Sequence, residues 1–144
     1  DNIQAEMLRM LLARFIIKST RLLKIKERLS TTKEDSKTDL LRAFNMLVEE
    51  HFRKEHSVQF YADTLYKSPK TLSNSFAKLK KSPLKIINER IILEAKRLLI
   101  YSNKSAKEIA YDLGFEDASH LSRLFKKHTS LSPSDFKKLS KSTI

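Results

Sequence analysis

The chain repeats itself. Ser57, Ala62 and Leu65 recur as Ser105, Ala110 and Leu113 at an offset of 48, Leu72 and Phe76 as Leu121 and Phe125 at 49, and Ser82-Pro83 as Ser132-Pro133 at 50. Such an offset marks a duplicated unit, with one residue inserted at the turn. Each copy reads as a short helix carrying an alanine, a tight turn, and a second helix with Leu-x-x-x-Phe on its buried side, a helix-turn-helix pattern. The small Ala62 and Ala110 let two helices cross closely, while Leu65 and Leu113 anchor the turns. Gly114 supplies a left-handed end to the first helix of the second copy, whereas Tyr66 stands in that place in the first, so a differently built first turn is expected.

One glycine and three prolines in 144 residues leave almost no material for hairpins or phosphate-cradling loops, so the expected fold is all-α. Two helix-turn-helix subdomains are joined by a linker helix and preceded by a long N-terminal helix. That first helix spans residues 2–29, with Ile3, Met7, Leu11, Phe15, Leu22, Ile25 and Leu29 near helical spacing. Residues 1–29 form a segment that must pack on something: the rest of the chain, a second copy as a homodimer, or a missing domain. The polar stretch 30–37 reads as a linker. The domain proper is 38–144. Thr38 caps its first helix, which buries Leu40, Leu41, Phe44, Leu47, Val48 and Phe52 and ends near residues 53–56. The first helix-turn-helix covers about 57–81, with Leu72, Phe76 and Leu79 facing its core. Pro83 starts a linker helix to about 101 that buries Leu84, Ile87, Ile91 and Leu98. The second helix-turn-helix covers about 105–129.

Charge is distributed as unevenly as the pattern is regular. Of the net +12, residues 1–65 carry 12 basic and 10 acidic groups, whereas residues 66–144 carry 17 basic and 7 acidic, a net +10. A basic half is the electrostatic footprint of a surface for a polyanion. The absence of cysteine removes disulfides and thiolate chemistry and fits a reducing cytosol. Apolar runs fall short of the roughly 20 residues that span a bilayer, so a soluble protein without a membrane partner is expected. The chain begins at Asp1 with no cleavable signal pattern, as a fragment of a longer protein would.

Other chemistry lacks its residues. His51 and His56 are five apart and His120 and His128 eight apart, without cysteine or an HExxH-like arrangement, so no metal and no cofactor is expected. No Ser/His/Asp set has a supporting motif, and the neighbouring Glu49 and Glu50 face different directions, so an enzyme is not expected. The competing class is a helical protein-interaction or dimerisation module with a basic surface. Such a groove exposes apolar anchors, whereas these outer helix faces carry small polar residues among lysines. RNA is disfavoured by the scarcity of exposed aromatics for stacking.

The stretch EAKRLLIYSNKSAKEIAYDLGFEDASHLSRLFKKHTSLSPSDFKK, residues 94–138, closely resembles the second-unit signature of the AraC/XylS family of bacterial transcription regulators; YADTLYKSPKTLSNSFAKL resembles the first unit more loosely. The resemblance covers about two-thirds of the chain, from Leu41 to Lys138. Lys81 and Ser130 stand where many members have glycine, and Lys137 where the closing motif often has arginine. The resemblance implies a cytoplasmic, sequence-specific DNA-binding regulator with two recognition helices in adjacent major-groove segments of double-stranded operator DNA. It also implies contact with RNA polymerase in activators and a separate sensor or dimerisation domain.

With the core-facing residues subtracted, Lys70, Ser73, Asn74 and Ala77 lie on the outer face of the first recognition helix. Ala118, Ser119, Ser122, Arg123 and Lys126 lie on that of the second. Asn74 pairs bidentately with an adenine edge, Arg123 with guanine O6 and N7, and the serines donate or accept, so Lys70, Ser73, Asn74, Ala118, Ser119, Ser122 and Arg123 are the base-reading candidates. Thr71, Lys78, Lys81, His120, Lys126, Lys127 and Lys137 are the phosphate candidates, which hold the backbone without conveying sequence; Lys80 and Lys138 flank them.

Overall fold

A computed structural model describes residues 2–24 and 33–143. The described residues form eight α-helices and one 3₁₀ turn and no strand: α1 (Asn2–Lys24), α2 (Lys33–His51), α3 (Val58–Thr64), α4 (Pro69–Ser75), the turn Ala77–Leu79, α5 (Pro83–Tyr101), α6 (Ala106–Asp112), α7 (Ala118–Thr129) and α8 (Pro133–Thr143). The all-α expectation holds, and the duplicated sequence coincides with the pairs α3/α4 and α6/α7. Pro69, Pro83 and Pro133 each open a helix, the position where a missing N–H forfeits no intrahelical bond. The chain divides into two compact units, Asp1–His51 with Ser57–Ile86, and Phe52–His56 with Ile87–Ile144.

In the first unit, Phe44 of α2 is fully buried and meets Tyr61 edge-on at 5.6 Å and Phe76 at 4.9 Å between ring centroids. Tyr61 in turn meets Phe60 at 5.2 Å, and Phe60 meets His51 at 5.1 Å. Edge-to-face pairs of this kind are worth about 0.5–1.5 kcal/mol each beyond the area they bury. Met10, Val48, Ala62 and Leu72 complete the core, and Arg14 Nε donates to Glu49 Oε1 at 2.6 Å, tying α1 to α2.

Three expectations for this unit need correction. The second helix starts at Lys33, not Thr38, and stops at His51, short of residues 53–56. From Lys33 the stretch reads KEDSK: glutamate and lysine carry little helix penalty, Glu34 and Asp35 suit the first turn of a helix, and no glycine or proline stops it. On α1, Leu11 is 56% exposed and Met10 is buried in its stead. A series with four-residue steps drifts about 40° per step around a helix, so Ile3 shares its face with Met10 and not with Leu11. Leu79 is 53% exposed rather than core-facing, because α4 ends at Ser75 and the following 3₁₀ turn rotates it outward. The side chains of Phe15 and Leu22, and residues 25–29 of the expected first helix, lie outside what is described.

The second unit is built on α5, whose Ile87, Ile91, Ala95 and Leu99 are buried together with Ile109, Ala110, Leu113, Leu121, Phe125 and Phe136. Leu84, expected among them, is largely exposed on the opening turn of α5. Phe125 and Phe136 meet edge-on at 5.3 Å. Among the described residues Glu94 is the buried charge, 1% exposed. Arg97 Nη2 donates to its Oε1 at 2.5 Å, Arg53 Nη2 donates to the same oxygen at 3.2 Å, and Arg90 Nη1 lies 3.6 Å from Oε2. Arg90 and Arg53 also lie over the Phe52 ring, at 4.0 and 4.6 Å. Burial alone would raise the Glu94 pKa, but the Arg97 hydrogen bond and the charges of Arg97, Arg90 and Arg53 outweigh it and hold the carboxyl below its ordinary value.

Candidate nucleic-acid interface

Both helix-turn-helix units begin with the repeated serine as a helix N-cap. Ser57 Oγ accepts from Phe60 N at 3.4 Å. Ser105 forms a full capping box: its Oγ accepts from Glu108 N at 3.2 Å, and Glu108 Oε1 accepts from Ser105 N at 3.3 Å, so two otherwise orphaned N–H groups are satisfied. Both turns close by the same paired hydrogen bonds. In the first, Lys67 N donates to Ala62 O at 2.9 Å and Tyr66 N to Asp63 O at 3.1 Å; in the second, Phe115 N donates to Ala110 O at 2.9 Å and Gly114 N to Tyr111 O at 3.1 Å. This is the Schellman closure, which requires a left-handed residue one place beyond the helix cap. Gly114 takes it at φ 84°, as expected, and Tyr66 takes it too at φ 56°, so the first turn is built like the second and not differently as its lack of glycine suggested.

Glycine is obligatory only in the second turn. A Cβ on Gly114 would lie 2.4 Å from Arg53 O and 3.2 Å from His56 Nε2. His56 Nε2 lies 2.7 Å from Leu113 O, and its ring centroid lies 4.5 Å from that of Phe115. A carbonyl only accepts, so Nε2 is the protonated, donating nitrogen. Tyr66 is 94% exposed, with no such wall beside it.

The recognition helices differ in length and framing. Ser68 caps α4, its Oγ accepting from Thr71 N at 3.1 Å and donating to Thr71 Oγ1 at 2.9 Å. Leu72 and Phe76 are buried, while Lys70, Thr71, Ser73, Asn74, Ala77, Lys78 and Lys81 are exposed. Ala77 and Lys78 sit on the 3₁₀ turn, beyond α4 itself. The residue in the left-handed conformation after that turn is Lys80, at φ 55°, rather than Lys81.

Asp117 caps α7, its Oδ1 accepting from Ser119 N at 3.0 Å. That backbone hydrogen bond, followed by the Ser119 hydroxyl and the charges of His120 and Arg123, holds the Asp117 carboxyl below its ordinary pKa. Leu121 and Phe125 point into the core; Ser119, His120, Arg123, Lys126 and Lys127 are exposed, and Ala118 and Ser122 are half-buried beside them. α7 ends at Ser130, left-handed at φ 64°, whose N donates to Lys126 O at 2.8 Å. Lys137 is engaged within the chain: its Nζ donates to Lys104 O at 3.3 Å, and Lys104 Nζ pairs with Asp112.

The helix pairs therefore bring the outer-face candidates together on α4 and α7, one set in each unit. Sequence reasoning did not single out Asp117, although an aspartate before the outer-face run of α7 is an ordinary N-cap signal. Nor did it find His56 in the turn, which joins residues distant in sequence, or the Glu94 hub, whose local signal is the helical spacing of Arg90 and Arg97 to either side of it.

Comparison with known proteins agrees with this architecture. A family model described as a helix-turn-helix domain matches residues 61–139. The chain is 33% identical over 107 residues to the HTH-type transcriptional activator RhaS of Salmonella schwarzengrund, an alignment covering 74% of this chain and 37% of that protein. The chain thus spans little more than a third of the curated relatives it matches. It superposes on the DNA-binding domain of AdpA, solved in complex with a target DNA, at 26% identity and a TM-score of 0.64 over 72% of this chain and 94% of that one. It shares its fold with the C-terminal domain of AraT, a response regulator from Geobacillus stearothermophilus, at 23% identity and a TM-score of 0.66 over 78% and 88% of the two chains. With the family model matched over more than half its length, the chain belongs to the AraC-type helix-turn-helix family, a family of DNA-binding transcription regulators and not of enzymes.

Proposed function

We propose that the chain is the operator-reading part of a bacterial transcription regulator, acting in the cytoplasm, with α4 and α7 each laid into a major-groove segment of double-stranded DNA. The observation that carries this reading is the outer face of α7. Behind it Leu121 and Phe125 are locked in the core, and on it Arg123 stands exposed among small polar side chains. Such a face admits a base edge closely and offers a fork for guanine.

Lys70, Ser73 and Asn74 from α4, with Ala118, Ser119, Ser122 and Arg123 from α7, are the base-reading set. Thr71, Lys78, Lys81, His120, Lys126 and Lys127 are the phosphate set, with Lys137 a weaker member because its ammonium already serves Lys104 O. Contact with RNA polymerase is the expectation for an activator of this family, and no residue is assigned to it.

Selection from a random duplex library tests the reading, followed by titration of the enriched duplex against a scrambled one at several salt concentrations. Two short enriched boxes and an affinity that falls steeply with salt are expected. Arg123→Ala should weaken binding to the enriched duplex by about 1–3 kcal/mol and relax one box. Equal affinity for enriched and scrambled duplexes overturns sequence-specific reading.

A second reading concerns α1. Leu8, Leu11, Leu12 and Ile16 are all exposed on it, an apolar stripe of the kind that marks an association surface. We assign it to homodimerisation. Sedimentation should give a dimer that Leu12→Glu converts to a monomer; a wild-type monomer at all accessible concentrations would remove this assignment.

A further inference from the structure

We propose that His56, which lies on neither recognition helix, is a positioning residue that sets the angle at which α7 presents its base-reading face. The inference rests on the reading of α7 as a recognition helix. It starts from the helix end at Leu113. The closure there satisfies the carbonyls of Ile109, Ala110 and Tyr111 from the backbone N–H groups of Leu113, Phe115 and Gly114. Leu113's own carbonyl turns away from the helix, and His56 Nε2 donates to it at 2.7 Å.

The hold is threefold. The His56 ring packs on Phe115 at 4.5 Å and a 42° tilt. The backbone of Arg53 passes so near Gly114 that its carbonyl oxygen occupies the space a Cβ would need. The Leu113 carbonyl is pinned by the hydrogen bond. Only Gly114, Phe115 and Glu116 separate Leu113 from Asp117, the cap on which α7 begins. A carbonyl and a ring held from outside leave that connection little freedom, so the starting direction of α7 follows from His56.

A hydrogen bond of this kind could serve stability alone. Two facts argue for positioning. The contact falls on the connection into α7 and not in the hydrophobic core, where His56 is only half-buried. The first helix-turn-helix closes with the same pair of backbone bonds and has Tyr66 standing in solvent where the second has its wall. The closure therefore forms without a clasp, and the clasp adds direction to it. Base reading tolerates errors well under an ångström in side-chain placement, whereas phosphate contacts are far more forgiving.

The test uses the whole chain and the selected two-box duplex, with duplexes in which one box or the other is scrambled. The box read by α7 is the one whose preference Arg123→Ala erases. His56→Ala, folded by far-UV circular dichroism at the assay temperature, should reduce the preference for the intact α7 box about tenfold. Preference at the other box and the slope of affinity with salt should both stay as in the wild type. His56→Gln keeps a donor for Leu113 O but loses the ring, and should fall between, with a loss of roughly two- to fivefold; it carries the test if the alanine variant does not fold. A folded variant with wild-type preference at the α7 box, or one that loses preference equally at both boxes, overturns the proposal. A wild-type chain that prefers neither box overturns instead the reading of α7 on which the proposal stands.

Discussion

The two helix-turn-helix units share a turn and differ in what packs against it and in the recognition helix that follows. In the first, Tyr66 accepts the left-handed backbone at full exposure, Ser68 caps a recognition helix of seven residues, and a 3₁₀ turn takes over at Ala77. In the second, Gly114 is walled in by Arg53 and His56, Asp117 caps a helix of twelve residues, and a buried carboxylate with three guanidiniums lies in the same unit. The backbone hydrogen bonds of the turn are therefore intrinsic to the motif, and the demand for glycine comes from what packs against it. A residue that looks diagnostic of a fold is here diagnostic of a neighbour.

That contrast can be broken most decisively at Gly114. Gly114→Ala forces a Cβ against backbone and should destabilise the second unit by about 3 kcal/mol or more, read from urea unfolding followed at 222 nm. A loss under about 1 kcal/mol would mean that the Arg53 segment yields easily, and the asymmetry of the turns would shrink to one of sequence.

Glu94→Gln should be next in size, at about 2–3 kcal/mol, because it removes the charge that three guanidiniums share in a buried site. Its pH signature sharpens the comparison, since among the described residues the buried charge belongs to the second unit. A carboxyl with a depressed pKa adds stability that is fully present above its unfolded value and disappears as pH falls through the folded one. Acid should therefore weaken the wild type below the usual carboxylate range more than it weakens Glu94→Gln. Parallel pH profiles for the two proteins would remove Glu94 as the cause.

The smallest effect is expected at the other turn. Tyr66→Gly relieves a left-handed strain of about 1–2 kcal/mol and gives back part of it in unfolded-chain entropy, leaving a gain of roughly 0.5 kcal/mol. A loss in the same urea experiment would show that the Tyr66 ring has a partner in solution, and the first turn could no longer be called open.

The repeat made the helix pairs legible, because a small residue, a turn anchor and a Leu-x-x-x-Phe face recur together. Leu72, Phe76, Leu121 and Phe125 are all buried as read, and the outer-face candidates follow by subtraction. Legibility failed where periodicity was extrapolated past the element that carried it. Leu79 was assigned the phase of a helix that had already ended at Ser75, and Leu11 the phase of a four-residue series that had left the buried face. It failed differently for residues 33–37, which read as a linker by polarity although two acids suited to a first turn, and no glycine or proline, let the helix begin at Lys33. His56 was illegible for a simpler reason, since its partner Leu113 lies 57 residues away. For Glu94 the helix spacing to Arg90 and Arg97 was there to be read, and what the sequence hid was its burial and the third arginine, Arg53, 41 residues away.

The Glu94 hub also constrains which substitutions this chain can accept, and in what order. One carboxylate answers to Arg53, Arg90 and Arg97, so a mutation of Glu94 by itself strands several cations at once, while loss of any single arginine leaves the others in place. Arginines at these sites can drift one at a time, but the glutamate can leave only after its partners have been replaced by apolar residues of similar volume. The position on α5 is in that sense a ratchet: its rim can be altered stepwise, while its centre is hard to remove first.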